Sequence, residues 1–197
     1  MTTTYLKHAR KTPETETGTA RRIASDMIAA IEAGGEDVVR RYANDLDRWS
    51  GPIIMDSEAI EARIASVSSS VRTDIDAAIA NVRRFADAQR GSVRDFEVQL
   101  TPGLVAGQKM VPVSVAGCYV PTGRYAHIAS AYMSVATARA AGVATVIACS
   151  APFRGEAVHP CVLYALKAAG ADIIMTLGDV RPLPRWLMGC SPARRPI

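Results

Sequence analysis

The stretch "VAGCYVPTGRYAHIAS", residues 115–130, holds the side chains best suited to chemistry. An apolar run ends at Tyr119, and Pro121, Thr122 and Gly123 follow as a turn that lets backbone approach a ligand closely. A helix begins soon after. An open α/β sheet binds ligands at the carboxyl ends of its strands, and a helix N-terminus suits an anion such as pyrophosphate. Tyr119 has the shape to stack on a ring or to fill a sheet edge. Arg124, His127 and Ser130 have the chemistry to contact substrate or to cap the helix. The G-x-G-x-x-G fingerprint is absent, so the turn by itself also reads as a structural one. A second strand end of the same kind is "TLGD", Thr176–Asp179.

The elements that must position these residues follow from periodicity. "TGTARRIASDMIAAIEAGG" has helical spacing at Ile23, Ala24, Met27, Ile28 and Ile31 and stops at Gly34-Gly35. "EDVVRRYANDLDRW" is a second helix with the stripe Val38, Val39, Tyr42 and Leu46. Ser57 caps a short helix, and a longer one spans about 71–90 with Ile75, Ile79, Val82, Phe85 and Ala86 on one face. From residue 95 the pattern changes to strands near 95–100, 104–112 and 115–120. "HIASAYMSVATARAAG" is a helix, "VATVIACS" a buried strand, "EAVHPCVLYALKAAG" a helix with Pro160 in its first turn, and "ADIIMTLG" a strand. Alternating short apolar strands and helices imply a parallel sheet with crossover helices. The fold class is α/β: an N-terminal helical region, 1–94, then an incomplete doubly wound parallel sheet in a partial Rossmann-like domain, 95–180. An aberrant Pro/Arg-rich tail, 181–197, follows.

That tail explains the charge. The chain carries a net +4, and Arg181, Arg185, Arg194 and Arg195 account for all of it. The remaining 19 basic residues balance the 19 acids, which argues against a nucleic-acid partner. No apolar run is long enough to span a bilayer, and the polar N-terminus lacks a secretory apolar core, so the expected location is cytoplasmic. Cys118, Cys149, Cys161 and Cys190 form no C-x-x-C, and His8, His127 and His159 are too scattered to bind zinc alone.

"VAGCYVPTGRYAHIASAYMSVATARAAGVATVIACSAP" resembles the histidinol dehydrogenase family. Its members carry a strand ending in G-x-Y-V/I-P-G-G, a helix with S-x-x-x-M-x-x-x-x-A-x-x-A-G-V, and a strand closing in C/T-x-P-P. "IEAGGEDVVRRYANDLDRW" fits as well, and the resemblance runs from about Thr12 to Val180. Arg124 to Ser130 place the chain nearest the sulfopropanediol dehydrogenase branch. The resemblance implies an aldehyde/histidinol dehydrogenase-like fold and a zinc- and NAD-dependent oxidation of a primary alcohol, through an aldehyde, to a carboxylate. It implies that Tyr119, Pro121, Thr122 and Gly123 bind the cofactor, with Thr122 replacing the usual first glycine. It further implies a small-molecule alcohol substrate and a homodimer. The family's next cofactor residue, a glutamine, falls at Arg181. Its zinc ligands and Glu-His acid/base pair lie further along than these 197 residues reach, so no catalytic or metal-binding residue is assigned. The chain alone is expected to lack zinc and turnover, and the alternatives are a non-catalytic nucleotide-binding fragment or an interaction module.

In the family, G-V-Q and an alanine-rich helix follow the last strand, where this chain reads "GDVRPLPRWLMGCSPA". Loss of one base after the codon for Val180 would account for the change. With a suitable choice of codons the shifted frame can be decoded as A-V-A-A-M-A-Y-G. Met188-Gly189 then forces glycine, and Leu187-Met188 permits only Tyr, His, Asn or Asp. The expected consequence is a last strand without its following helix.

Overall fold

The computed structural model describes residues 17–122 and 125–178. The tail 181–197, His8, Gly123 and Arg124 lie outside the described residues.

The helical front comprises α1 (Thr17–Asp47), α2 (Ser57–Ile64) and α3 (Ser69–Gly91). Gly35 has φ 61° and ψ −143° inside α1, which divides it into the two helices expected from Gly34-Gly35. The cap of α2 differs from expectation. Asp56, not Ser57, is the N-cap, and its carboxylate accepts from the Ala59 N–H at 2.7 Å. Ser68 caps α3. The stripes are also less buried than periodicity suggests. Ile31, Val39, Ile75, Ile79 and Ala86 are buried, but Ile23, Ile28, Leu46 and Phe85 are exposed.

A hairpin follows, β1 (Phe96–Thr101) with β2 (Leu104–Gln108), and every residue of both strands is exposed. β2 stops four residues short of the expected end. The α/β part is β3 (Val115–Val120), α4 (Ile128–Ala140), β4 (Thr145–Ser150), α5 (Pro160–Ala169) and β5 (Ile173–Thr176). The three strands are parallel in the order β3-β4-β5. α5 begins at Pro160, later than the expected segment, because proline's missing N–H is harmless at the first helical position. It ends at Gly170, φ 101°, in the left-handed conformation glycine tolerates.

Both sheet faces are covered. Cys118, Val120, Val146, Ala148 and Ile174 face α3, α4 and α5 in the larger core. Ile147, Cys149, Met175 and Leu177 face Ile31, Val39 and Ala43 of α1, together with Ile53. The outer edge of β5 is paired too. The Met55 N–H donates to the Ile174 carbonyl at 3.0 Å, and the Thr176 N–H to the Ile53 carbonyl at 2.7 Å. Arginines hold the helix ends. Arg83 donates to the Ala168 and Ala169 carbonyls at 3.1 and 3.0 Å, and Arg90 to Ala140 at 3.1 Å. Arg139 donates to Gly170, Val143 and Ala144 at 2.7, 3.1 and 2.9 Å and pairs with Asp172.

The N-terminus of α5 is closed by His159, whose Nδ1 accepts from the Cys161 N–H at 3.2 Å. Accepting there requires a neutral ring with its proton on Nε2. Burial, with Arg63 and then Arg154 nearby, holds its pKa below the ordinary histidine value.

Two tests follow from this packing. Leu166 is fully buried under the sheet, and Leu166→Ala should lower unfolding stability by about 2–5 kcal/mol in urea titration. His159 takes up protons more readily unfolded than folded. Its contribution is therefore complete above the unfolded value, about 6.5, and is lost as pH falls from there through the lower folded value. Urea midpoints between pH 7.5 and 5 should fall more steeply for this chain than for His159→Asn, which keeps a capping acceptor without titrating. Equal slopes would remove His159 from the account.

Candidate functional site

The parallel strands end together, with Val120, Ser150 and Thr176 aligned across the carboxyl edge. The buried Ser150 hydroxyl donates to the Val120 carbonyl at 3.1 Å and ties the ends of β3 and β4 together. Thr176 is fully buried, and its Oγ1 has no hydrogen-bond partner. The chain leaves β5 through a tight passage. The Leu177 N–H donates to the Ser150 carbonyl at 2.9 Å, and the Gly178 N–H donates to Asp47 Oδ2 at 2.9 Å. A Cβ at Gly178 would lie 2.5 Å from the Ala151 Cβ and 2.7 Å from Asp47 Oδ1, so only glycine fits.

Tyr119 is the penultimate residue of β3 and sits opposite Cys149 in the register. It lies on the face away from Val120, and 42% of it is exposed. Pro121 and Thr122, both half-buried, lead off the edge. The structure thus brings Tyr119, Pro121 and Thr122 together at the expected strand end, while Gly123 and Arg124 fall outside the described residues. α4 begins at Ile128 with His127 at the N-cap position, and the His127 side chain makes no capping hydrogen bond. Ser130 is not a cap. It is the third residue of the helix, and its carbonyl accepts from the Ser134 hydroxyl. The two N-cap histidines therefore differ: His159 caps α5, whereas His127 does not cap α4.

Beside that start lies a groove of about 450 Å³ lined by Asp74, Ile75 and Ala78 of α3 and by Ala126, His127 and Tyr132. The groove was not visible in the sequence, because its walls are about 50 residues apart. Asp47 and Gly178 were missed as a pair for the same reason. "TLGD" marked the neighbourhood but not the partner.

Among the described residues no three His, Cys, Asp or Glu side chains cluster as a metal site. His127 and His159 stand on different loops, and burial pushes the Cys118 and Cys161 thiols up, away from the thiolate form that metals take. The described residues do not fit a zinc centre. No helix among them is long and apolar enough to cross a membrane.

Comparison with known proteins gives these features a family. The Histidinol dehydrogenase family model matches residues 10–183. A histidinol dehydrogenase homolog of Ruegeria pomeroyi is 48% identical over 196 residues, covering 98% of this chain and 45% of that protein. Sulfopropanediol 3-dehydrogenase of the same organism is 44% identical over 189 residues, covering 96% and 43%. Histidinol dehydrogenase of Methanosarcina barkeri is 32% identical over 169 residues, covering 85% and 39%. The crystal structure of histidinol dehydrogenase from Elizabethkingia anophelis superimposes with a TM-score of 0.76 at 21% identity, over 94% of this chain and 41% of that one, which establishes the shared fold. The chain spans less than half the length of these relatives. With the family model matching most of its residues, this chain belongs to the histidinol dehydrogenase family.

Proposed function

We propose that this chain supplies the nucleotide-facing part of an NAD-dependent dehydrogenase that oxidises a primary alcohol through an aldehyde to a carboxylate. The observation that carries the reading is the exposed Tyr119 at the carboxyl edge of β3, with the start of α4 at Ile128 close behind it. Family membership supports oxidation chemistry, and the name of the Ruegeria relative favours the sulfopropanediol type of alcohol. On this reading Tyr119, Pro121, Thr122 and Gly123 hold the cofactor.

NAD, when bound, accepts the hydride from the carbinol carbon. What these residues contribute is placement. The Tyr119 ring offers a flat apolar surface for a base or ring. The positive end of the α4 dipole favours a phosphate. The described residues bring no metal ligands and no positioned base to the edge, so proton removal and zinc chemistry belong to sequence beyond them. In this scheme residues 1–94 are the helical support and 95–180 the cofactor half. The remaining parts of the proposal are a cytoplasmic setting and a homodimeric whole enzyme.

The isolated 197 residues should bind NAD weakly, with affinity at least fivefold lower in Tyr119→Ala by calorimetry. The same preparation should hold no stoichiometric zinc and produce no NADH from alcohols. Equal NAD affinity in the variant would end the cofactor assignment, and one equivalent of zinc with turnover would end the division of labour. The misframed origin of "RPLPRWLMGCSPARRPI" is a separate proposal. The coding DNA should show an open alanine-rich frame one base away from the codon for Val180, and stop codons there would exclude it.

A further inference from the structure

The strand-helix-strand unit from β3 to β4 carries no acid. Between Glu97 and Glu156 the chain has no Asp or Glu, while Lys109, Arg124, Arg139 and Arg154 all fall in that stretch. Dinucleotide sites on doubly wound sheets place an acid about 20 residues beyond the phosphate turn, where it accepts from the adenosine ribose 2′-hydroxyl of NAD. Such a carboxylate also repels a 2′-phosphate, so its absence removes the element that discriminates against one. An arginine near the same position accommodates the phosphate instead.

Arg154 stands just beyond that position. β4 ends at Ser150, level with the end of β3, and the loop that follows leads to Arg154. Arg154 and Gly155 form the tip of a two-residue turn, with φ of 55° and 79°. The Phe153 N–H donates to the Glu156 carbonyl at 2.9 Å, and the Glu156 N–H to the Phe153 carbonyl at 3.1 Å. A turn with positive φ at both central residues suits asparagine and glycine, and arginine adopts it at a cost. The Arg154 side chain is therefore held at the tip against its backbone preference, a kind of strain that gathers at ligand sites. Its guanidinium lies 5.1 Å from the Phe153 ring centre, and that ring stands edge-on to His159 at 4.7 Å. Glu156 does not neutralise it, because its carboxylate pairs with Arg63 at 3.1 Å. Among the described residues no carboxylate pairs with Arg154. His159 adds no competing charge, since burial and then Arg63 and Arg154 hold its pKa down. The loop thus presents an exposed positive charge beside the carboxyl edge.

We infer that Arg154 sets specificity at the adenosine end of the cofactor, and that this chain takes the dinucleotide carrying a 2′-phosphate, NADP, in preference to NAD. The inference rests on the proposed cofactor site at Tyr119 and names the form of cofactor that site selects. A guanidinium meets a phosphate with two parallel N–H bonds, which a ribose hydroxyl cannot match. The nicotinamide ring accepts hydride identically in both forms, so the proposed oxidation is unchanged.

Calorimetry on the full 197-residue chain compares NADP with NAD at low salt, in the parent and in Arg154→Asn and Arg154→Lys. The parent should bind NADP about fivefold or more tightly than NAD, and added salt should shrink that ratio. Arg154→Asn should bring the ratio to about one, because the charge-assisted bonds are gone. Asparagine suits the turn better than arginine, so a lost preference there cannot be lost folding. Arg154→Lys should keep part of the preference, since the charge remains without the fork. Equal affinity for the two dinucleotides in the parent would overturn the inference and leave the cofactor site standing. A preference for NADP that survives in Arg154→Asn would also overturn it. Binding of neither form would end the inference together with the proposed cofactor site.

Discussion

A parallel sheet needs cover on both faces, because its strands are apolar on both sides and its crossover helices lie against it. Most of this structure answers that requirement. α4 and α5 return the chain from β3 to β4 and from β4 to β5, and α3 packs behind them. The opposite face is left to α1, which the chain lays down before any strand exists. Residues 53–55 then add a short antiparallel edge beside β5. α1 is thus the sheet's second cover, joined to it by buried side chains at Ile31, Val39 and Ala43.

Arginines make that cover specific. The last carbonyls of a helix have no partner within it and carry the negative end of its dipole. Arg83 and Arg90 of α3 reach the final carbonyls of α5 and α4, and Arg139 of α4 spans the turn after α5 and the approach to β4. Arg63 of α2 does the same for the loop before α5, through the Val158 carbonyl at 2.8 Å and the Ala157 carbonyl at 3.1 Å. Charge-assisted bonds to otherwise unsatisfied carbonyls hold elements in register. The exposed Arg40–Glu36 pair contributes far less, because water screens it. These guanidinium groups are therefore structural, although Arg83 and Arg139 also line a concave surface.

The carboxyl edge shows the same economy of purpose. Ser150 and the Asp47–Gly178 contact fix the strand ends, and His159 closes α5. Among the described residues beside that edge, Tyr119 is 42% exposed and α4 starts nearby at Ile128. The proposed cofactor placement rests on these features.

Much of this was legible in the amino-acid order. The period of the apolar residues determined the helices and the three parallel strands, and Gly34-Gly35 and Gly170 marked their breaks. The strand-to-helix turn after Tyr119 was readable because strand ends bind ligands in this class of sheet. Errors arose where local rules compete or neighbours are distant. Asp56 and Ser57 are both good caps, and only the backbone geometry selects between them. Ile23, Ile28 and Phe85 match a helical period yet face solvent, since periodicity defines a face without saying whether anything packs on it. The sequence by itself determined the elements and their order. The tertiary structure alone decided that Asp47 grips Gly178 and that arginines of one helix close the ends of others. Those facts depend on residues 31 to 131 apart in the chain meeting in space, and no local pattern encodes such a meeting.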